Sequence, residues 1–157
     1  MKKILRSFAI GASLNQGKFA ALILKFRFDD RSEALTAWPK PQMMVLVKML
    51  LEYRTHLHQS AAHLDPDSLE SEVRGDAPKL LLEEIECLPF QAVVEVVTAR
   101  VPKENTLDIS IKRVRQENAD IFVLQPNQCP WLLGFILNTL DEFADNDEFT
   151  TPRGMSH

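Results

Sequence analysis

Residues 19–28 read Phe19-Ala20-Ala21-Leu22-Ile23-Leu24-Lys25-Phe26-Arg27-Phe28. From Ala21 onward the run alternates with a period of two. Leu22, Leu24, Phe26 and Phe28 share one side, and Ala21, Ile23, Lys25 and Arg27 share the other. Successive side chains of a strand point to opposite faces, so this pattern predicts a β-strand with one face on a core and a charged end in water. Working outward, Asn15-Gln16-Gly17 is a turn signal, because Gly and Asn tolerate positive φ. Ile4 to Ala12 then reads as a preceding strand. On the other side, Asp29-Asp30-Arg31-Ser32 reads as a hairpin loop before a short third strand, Ala34 to Trp38.

Pro39-Lys40-Pro41 ends that strand, since proline cannot donate to the ladder. From about Gln42 to Leu64 the period changes to that of a helix. Met43, Leu46, Val47, Leu50, Leu57, Ala61 and Leu64 form a stripe. Asp65-Pro66-Asp67-Ser68 is a turn or cap, a short polar helix to about Arg74 follows, and Asp76-Ala77-Pro78 reads as the start of a further helix ending at Pro89. Gln91 to Val101 is rich in β-branched residues, Leu107 to Val114 alternates, and Asp120 to Gln125 is a short strand. A helix from Pro130 to Phe143 carries Leu132, Phe135, Ile136, Leu140 and Phe143. Both halves thus run strand, strand, strand, proline-containing joint, helix. This order predicts an α+β fold of antiparallel strands with helices packed on one face, and points to a tandem βββα duplication. The expected organisation is one domain over 1–143: a first half at 1–64, an acidic helical connector at 65–90 and a second half at 91–143. Residues 144–157 read as a flexible acidic tail.

The 157 residues carry a net charge of −4, with 45% hydrophobic and 25% charged residues. These values fit a globular chain that buries a core and exclude wholesale disorder. No apolar run approaches the roughly 20 residues of a membrane helix. The charge is unevenly spread. Residues 1–64 hold ten Lys/Arg against four Asp/Glu, and residues 65–90 hold two against eight. A basic first half beside an acidic connector predicts internal charge pairing, or a basic face for an anion. The two cysteines, Cys87 and Cys129, form no disulfide framework and no zinc pattern; two buried thiols in a reducing cytoplasm is the expectation.

No catalytic constellation is legible. Glu52, His56 and His63 share a helical stripe but span ~10 Å of helix, too far for one ion without another ligand. They read as a solvated polar face, and no metal or cofactor is predicted. Glu83, Glu84 and Glu86 read as the polar face of the connector helix. The five glycines match no phosphate-binding fingerprint. An anion or nucleic-acid site could use Lys25, Arg27 and Arg31 with Lys112, Arg113 and Arg115 at two basic strand ends. The acidic total and the lack of a stacking platform weigh against nucleic acid. Met43, Met44 and Met49, with Trp131, Leu133 and Leu137, supply more apolar surface than one face of each helix needs. With Phe149 in the acidic tail, they are the candidate interface residues for self-association or a protein partner.

The run Phe19 to Phe28, followed by Leu35-Thr36-Ala37-Trp38 and the helix from Met43, resembles small enterobacterial proteins of the biofilm-regulator type, BssS, and the YjeJ group. The likeness covers about residues 19–64 and is one of pattern. It carries no catalytic residues and implies a small bacterial cytoplasmic protein acting through other macromolecules. The functional expectation is a non-enzymatic protein-interaction or regulatory module that self-associates. The alternatives are a nucleotide, small-anion or nucleic-acid binding module, and an enzyme whose site is assembled from distant residues.

Overall fold

The alternating run is the second strand of a curled six-stranded sheet. A computed structural model describes residues 2–60, 79–102 and 105–142. The elements are β1 (Lys2–Asn15), β2 (Lys18–Phe28), β3 (Glu33–Pro39), α1 (Lys40–Ser60), α2 (Leu82–Glu86), a 3-10 turn (Phe90–Ala92), β4 (Val94–Arg100), β5 (Leu107–Arg113), β6 (Asp120–Leu124) and α3 (Gln128–Glu142). Strand order is β3-β2-β1-β6-β5-β4. All neighbours are antiparallel except β1 and β6, which run parallel through Lys2–Ile4 and Ile121–Val123. The β1–β2 loop has positive φ at Gln16 and Gly17, the two-residue turn that suits strand twist.

The sheet curls until its outer strands meet. Ala37 of β3 forms a parallel bridge with Val93, just before β4. Inside the curl, Phe8, Leu22, Leu24, Phe26 and Trp38 of the first half join Val97, Ile109, Ile111, Phe122 and Leu124 of the second in one buried core. The α1 stripe Met43, Leu46, Val47, Leu50, Tyr53 and Leu57, and the α3 stripe Cys129, Leu132, Leu133, Phe135 and Ile136, close the same core. Burial of these apolar faces is the dominant favourable term in folding.

The two halves are equivalent strand by strand. The pair Phe8–Phe26 corresponds to Val97–Ile111, and Ile10–Leu24 to Ala99–Ile109. A register shift falls between Leu5 and Ser7 in β1, and at the matching place between Val94 and Val96 in β4. Bulges re-aim a strand and mark designed positions. The parallel junctions match as well: Ile4 pairs with Val123, and Val93 bridges Ala37. One constant spacing carries Trp38 to Leu124 and the buried α1 positions Met43, Leu46, Val47, Leu50 and Tyr53 to Cys129, Leu132, Leu133, Ile136 and Thr139. The halves are therefore related by a two-fold axis along the curl. Gln42 and Gln128 occupy matching helix starts and do matching work. Gln42 Nε2 donates to the carbonyl of Glu95, and Gln128 Nε2 to that of Leu5. Each glutamine pins its helix to the bulge of the other half.

Three expectations need correction. Lys79 and Leu80 are not helical: Lys79 bridges Ile10, and the Leu80 amide donates to the Ile10 carbonyl at 2.9 Å, so helix α2 starts only at Leu82. The fourth strand begins at Val94, because residues 90–92 form a 3-10 turn after Pro89. Cys87 is exposed and only Cys129 is buried, where its thiol donates to the Leu50 carbonyl at 3.4 Å; neither is in a disulfide. The expected turn and helix at 65–78, His63, the end of the first helix beyond Ser60, and the tail from Phe143 lie outside the described residues.

Candidate interaction surface along the connector

The outer face of β1-β2-β3 carries small side chains, Ala9, Ala21 and Ala37, with Gly11 among them. The connector fills the hollow with Leu80, Ile85 and Leu88, which pack with Ile23 and Leu35 into a second, smaller core. Gly11 lets the connector approach closely: a Cβ on it would stand 2.8 Å from Ile85 Cδ1, and that side chain would have to shift. Glu84 fastens the segment with both oxygens. Oε1 accepts the Leu81 N–H at 3.3 Å, capping α2, and Oε2 accepts from Lys25 Nζ at 2.8 Å. The bond from Lys25 holds the Glu84 carboxyl below its ordinary range, and the bond to Glu84 raises the Lys25 ammonium above its own.

A five-residue helix buries little of itself. Leu81, Leu82 and Phe90 are 63%, 68% and 63% exposed, the most exposed large apolar residues among those described. Beside Phe90 lies a groove of about 360 Å³, walled by Leu35, Pro89, Ala92 and Val114 together with Arg113 and Arg115. Leu35 belongs both to this groove and to the small core under α2, so the two are continuous. The Arg115 guanidinium lies 5.9 Å over the Phe90 ring, and its positive φ of 63° turns the chain there. The exposed apolar side chains thus lie between the acidic α2 and the arginines Arg113 and Arg115.

Three of the basic residues at the strand ends, Lys25, Arg27 and Arg113, are paired with carboxylates. Lys25 is held by Glu84 and lies 3.7 Å from Glu33. Arg27 pairs with Glu33 at 2.7 Å. Arg113 pairs with Asp120 at 2.9 Å and donates to the Leu35 carbonyl, tying β5 to β3 across the seam. Arg31 and Lys112 are exposed on separate elements. Of the candidate interface residues, Met43 and Leu133 are fully buried in the protein's own core and offer nothing to a partner. Met49 and Trp131 pack against that core, Trp131 on the Phe8 ring at 4.6 Å. Met44 and Leu137 are exposed, and Phe149 lies outside the described residues. Glu52 is exposed, while His56 Nε2 is 3.3 Å from Asn105 Oδ1. Among the described residues no group of three or more His, Cys, Asp or Glu could hold a metal ion, and no helix is long and apolar enough to cross a membrane.

The exposed leucines were open to sequence reasoning. Three consecutive leucines at 80–82 exceed what one face of either a strand or a helix can bury. No protein-family profile matches the chain, and neither a curated protein nor a solved structure matches it significantly.

Proposed function

We propose that this protein is a non-catalytic, self-associating interaction module of regulatory type, and that the connector surface is its contact. The observation that carries this reading is the exposure of Leu81, Leu82 and Phe90 on one connector, with an arginine-walled groove beside Phe90. The surface is self-complementary. Acidic Glu83 and Glu86 on α2 adjoin the leucines, and Arg115 adjoins the groove. A two-fold contact places each feature of one copy against the other feature of its mate. The resemblance to the biofilm-regulator type points the same way, toward work done through other macromolecules. The free, exposed Cys87 fits a reducing cytoplasm.

Light scattering over a concentration series tests this directly. The wild type is expected to run as a dimer. Leu82→Asp, a change at an exposed position, should give a monomer with an unaltered far-UV spectrum, and Arg115→Glu should weaken the dimer. A strictly monomeric wild type, or a dimer indifferent to both changes, overturns the reading.

A further inference from the structure

The two-fold relation sets the outer faces of the halves side by side for comparison. In the first half, two cross-strand rows, Ala9–Lys25–Leu35 and Gly11–Ile23–Ala37, lie under the connector. The matching rows of the second half are Thr98–Ser110–Ile121 and Arg100–Asp108–Val123, which run on across the junction to Lys2 and Ile4 of β1. Ala9, Gly11 and Ile23 have Thr98, Arg100 and Asp108 as their counterparts, and Lys25 has Ser110. Where the first half buries Ile23, the second buries Asp108, whose side chain is only 4% exposed.

A buried carboxylate oxygen served by a single ammonium calls for an explanation, because native structures leave few buried polar atoms short of partners. Asp108 Oδ2 is paired with the Lys2 ammonium at 2.6 Å and accepts no further hydrogen bond. It lines a cavity of about 180 Å³ with Lys2, Thr98, Arg100 and Ser110. Thr98 and Ser110 are directly opposite on β4 and β5, and Arg100 is opposite Asp108. The cavity therefore offers a guanidinium, a pair of adjacent hydroxyls and a carboxylate with acceptor capacity to spare. Its formal charge, two cations and one anion, is +1.

We propose that this cavity binds a small carboxylate carrying an amino or hydroxyl group on the adjacent carbon. The ligand carboxylate takes Arg100 in the two-pronged geometry that guanidinium favours, with Thr98 and Ser110 donating to it. The neighbouring N–H or O–H donates to Asp108. A cavity of this size lies below the ~300 Å³ at which drug-sized sites begin, which restricts the ligand to a few heavy atoms.

The full-length protein titrated calorimetrically with glycine, glycolate, acetate and inorganic phosphate provides the test. Glycine or glycolate should bind, the choice between them distinguishing the amino from the hydroxyl source. Acetate, which lacks the donor, should bind about tenfold more weakly, the equivalent of ~1.4 kcal/mol. Arg100→Gln, an exposed position, should abolish binding while leaving the melting temperature in place. Asp108→Asn should erase the preference over acetate. If that variant fails to fold, Ser110→Ala replaces it, with an expected severalfold loss for both acids. Failure of glycine and glycolate to bind overturns the proposal. So does acetate or phosphate binding as tightly, or binding that survives Arg100→Gln. Leu82→Asp, which dissociates the proposed dimer, should leave these affinities unchanged.

Discussion

Thr36 illustrates how much one polar atom settles inside this core. Its Oγ1 donates to the Leu24 carbonyl at 2.8 Å and accepts the indole N–H of Trp38 at 2.8 Å, with Thr36 and Trp38 both buried. Thr36→Val keeps the shape and strands the indole donor, which should cost roughly 1–3 kcal/mol. Urea unfolding followed by tryptophan fluorescence measures it, with Thr36→Ser as the milder control. A cost below the control's would remove the hydroxyl from this role. Tyr53 solves a similar problem by donating to the Asn105 carbonyl, while burial pushes its phenol well above the usual range. Neither bond was legible in the sequence. A threonine and a tyrosine on apolar stripes show where they face, but their partners lie on segments that only the folded chain brings near. Asp108 was illegible for the same reason. Alternation placed it on the outer side of β5, where a carboxylate ordinarily meets water.

At the scale of the element, the docking of α2 should depend on pH through one pair. Glu84 has a depressed folded pKa, so its contribution is present above the unfolded carboxylate range and is lost as pH falls through the folded value. Lys25 has a raised one, so its contribution is complete below the ordinary lysine range and is lost as pH rises through the folded value. The connector should thus be held most firmly between those limits. Hydrogen exchange at the Leu80 amide, corrected for intrinsic rates, should show protection declining at the acid end. Glu84→Gln should flatten that decline, and an unchanged profile would show that the pair does not hold the segment. The six strands and two long helices were readable because each keeps its period over several residues. The connector was not. Its Leu-rich run fits a helix on periodicity alone, and only the backbone bond from Leu80 to Ile10 makes its start extended. The pairing of Lys25 with the acidic segment is the internal compensation that the charge asymmetry implied, and it engages the same lysine that the anion reading used.

For the whole molecule, the reciprocal glutamines tie helix placement in each half to the bulge of the other. Gln42→Ala and Gln128→Ala should each cost about 1 kcal/mol, with the latter larger because its Oε1 also accepts the Gln125 N–H. Denaturation of both variants and of the pair should remain a single transition by fluorescence and circular dichroism, since one core spans both halves. Separate transitions would mean that the halves are held together less tightly than their shared core implies. The repeated order of elements was visible in the chain. The matched bulges were not, because Arg6 and Glu95, which fall between the paired positions, have nothing chemical in common. The parallel contacts of β1 with β6 and of β3 with the start of β4 have a reach beyond this single chain. A polypeptide containing only one βββα unit would expose the same two unpaired borders, and two such molecules could satisfy them mutually, building in trans the ring that covalent linkage here builds in cis.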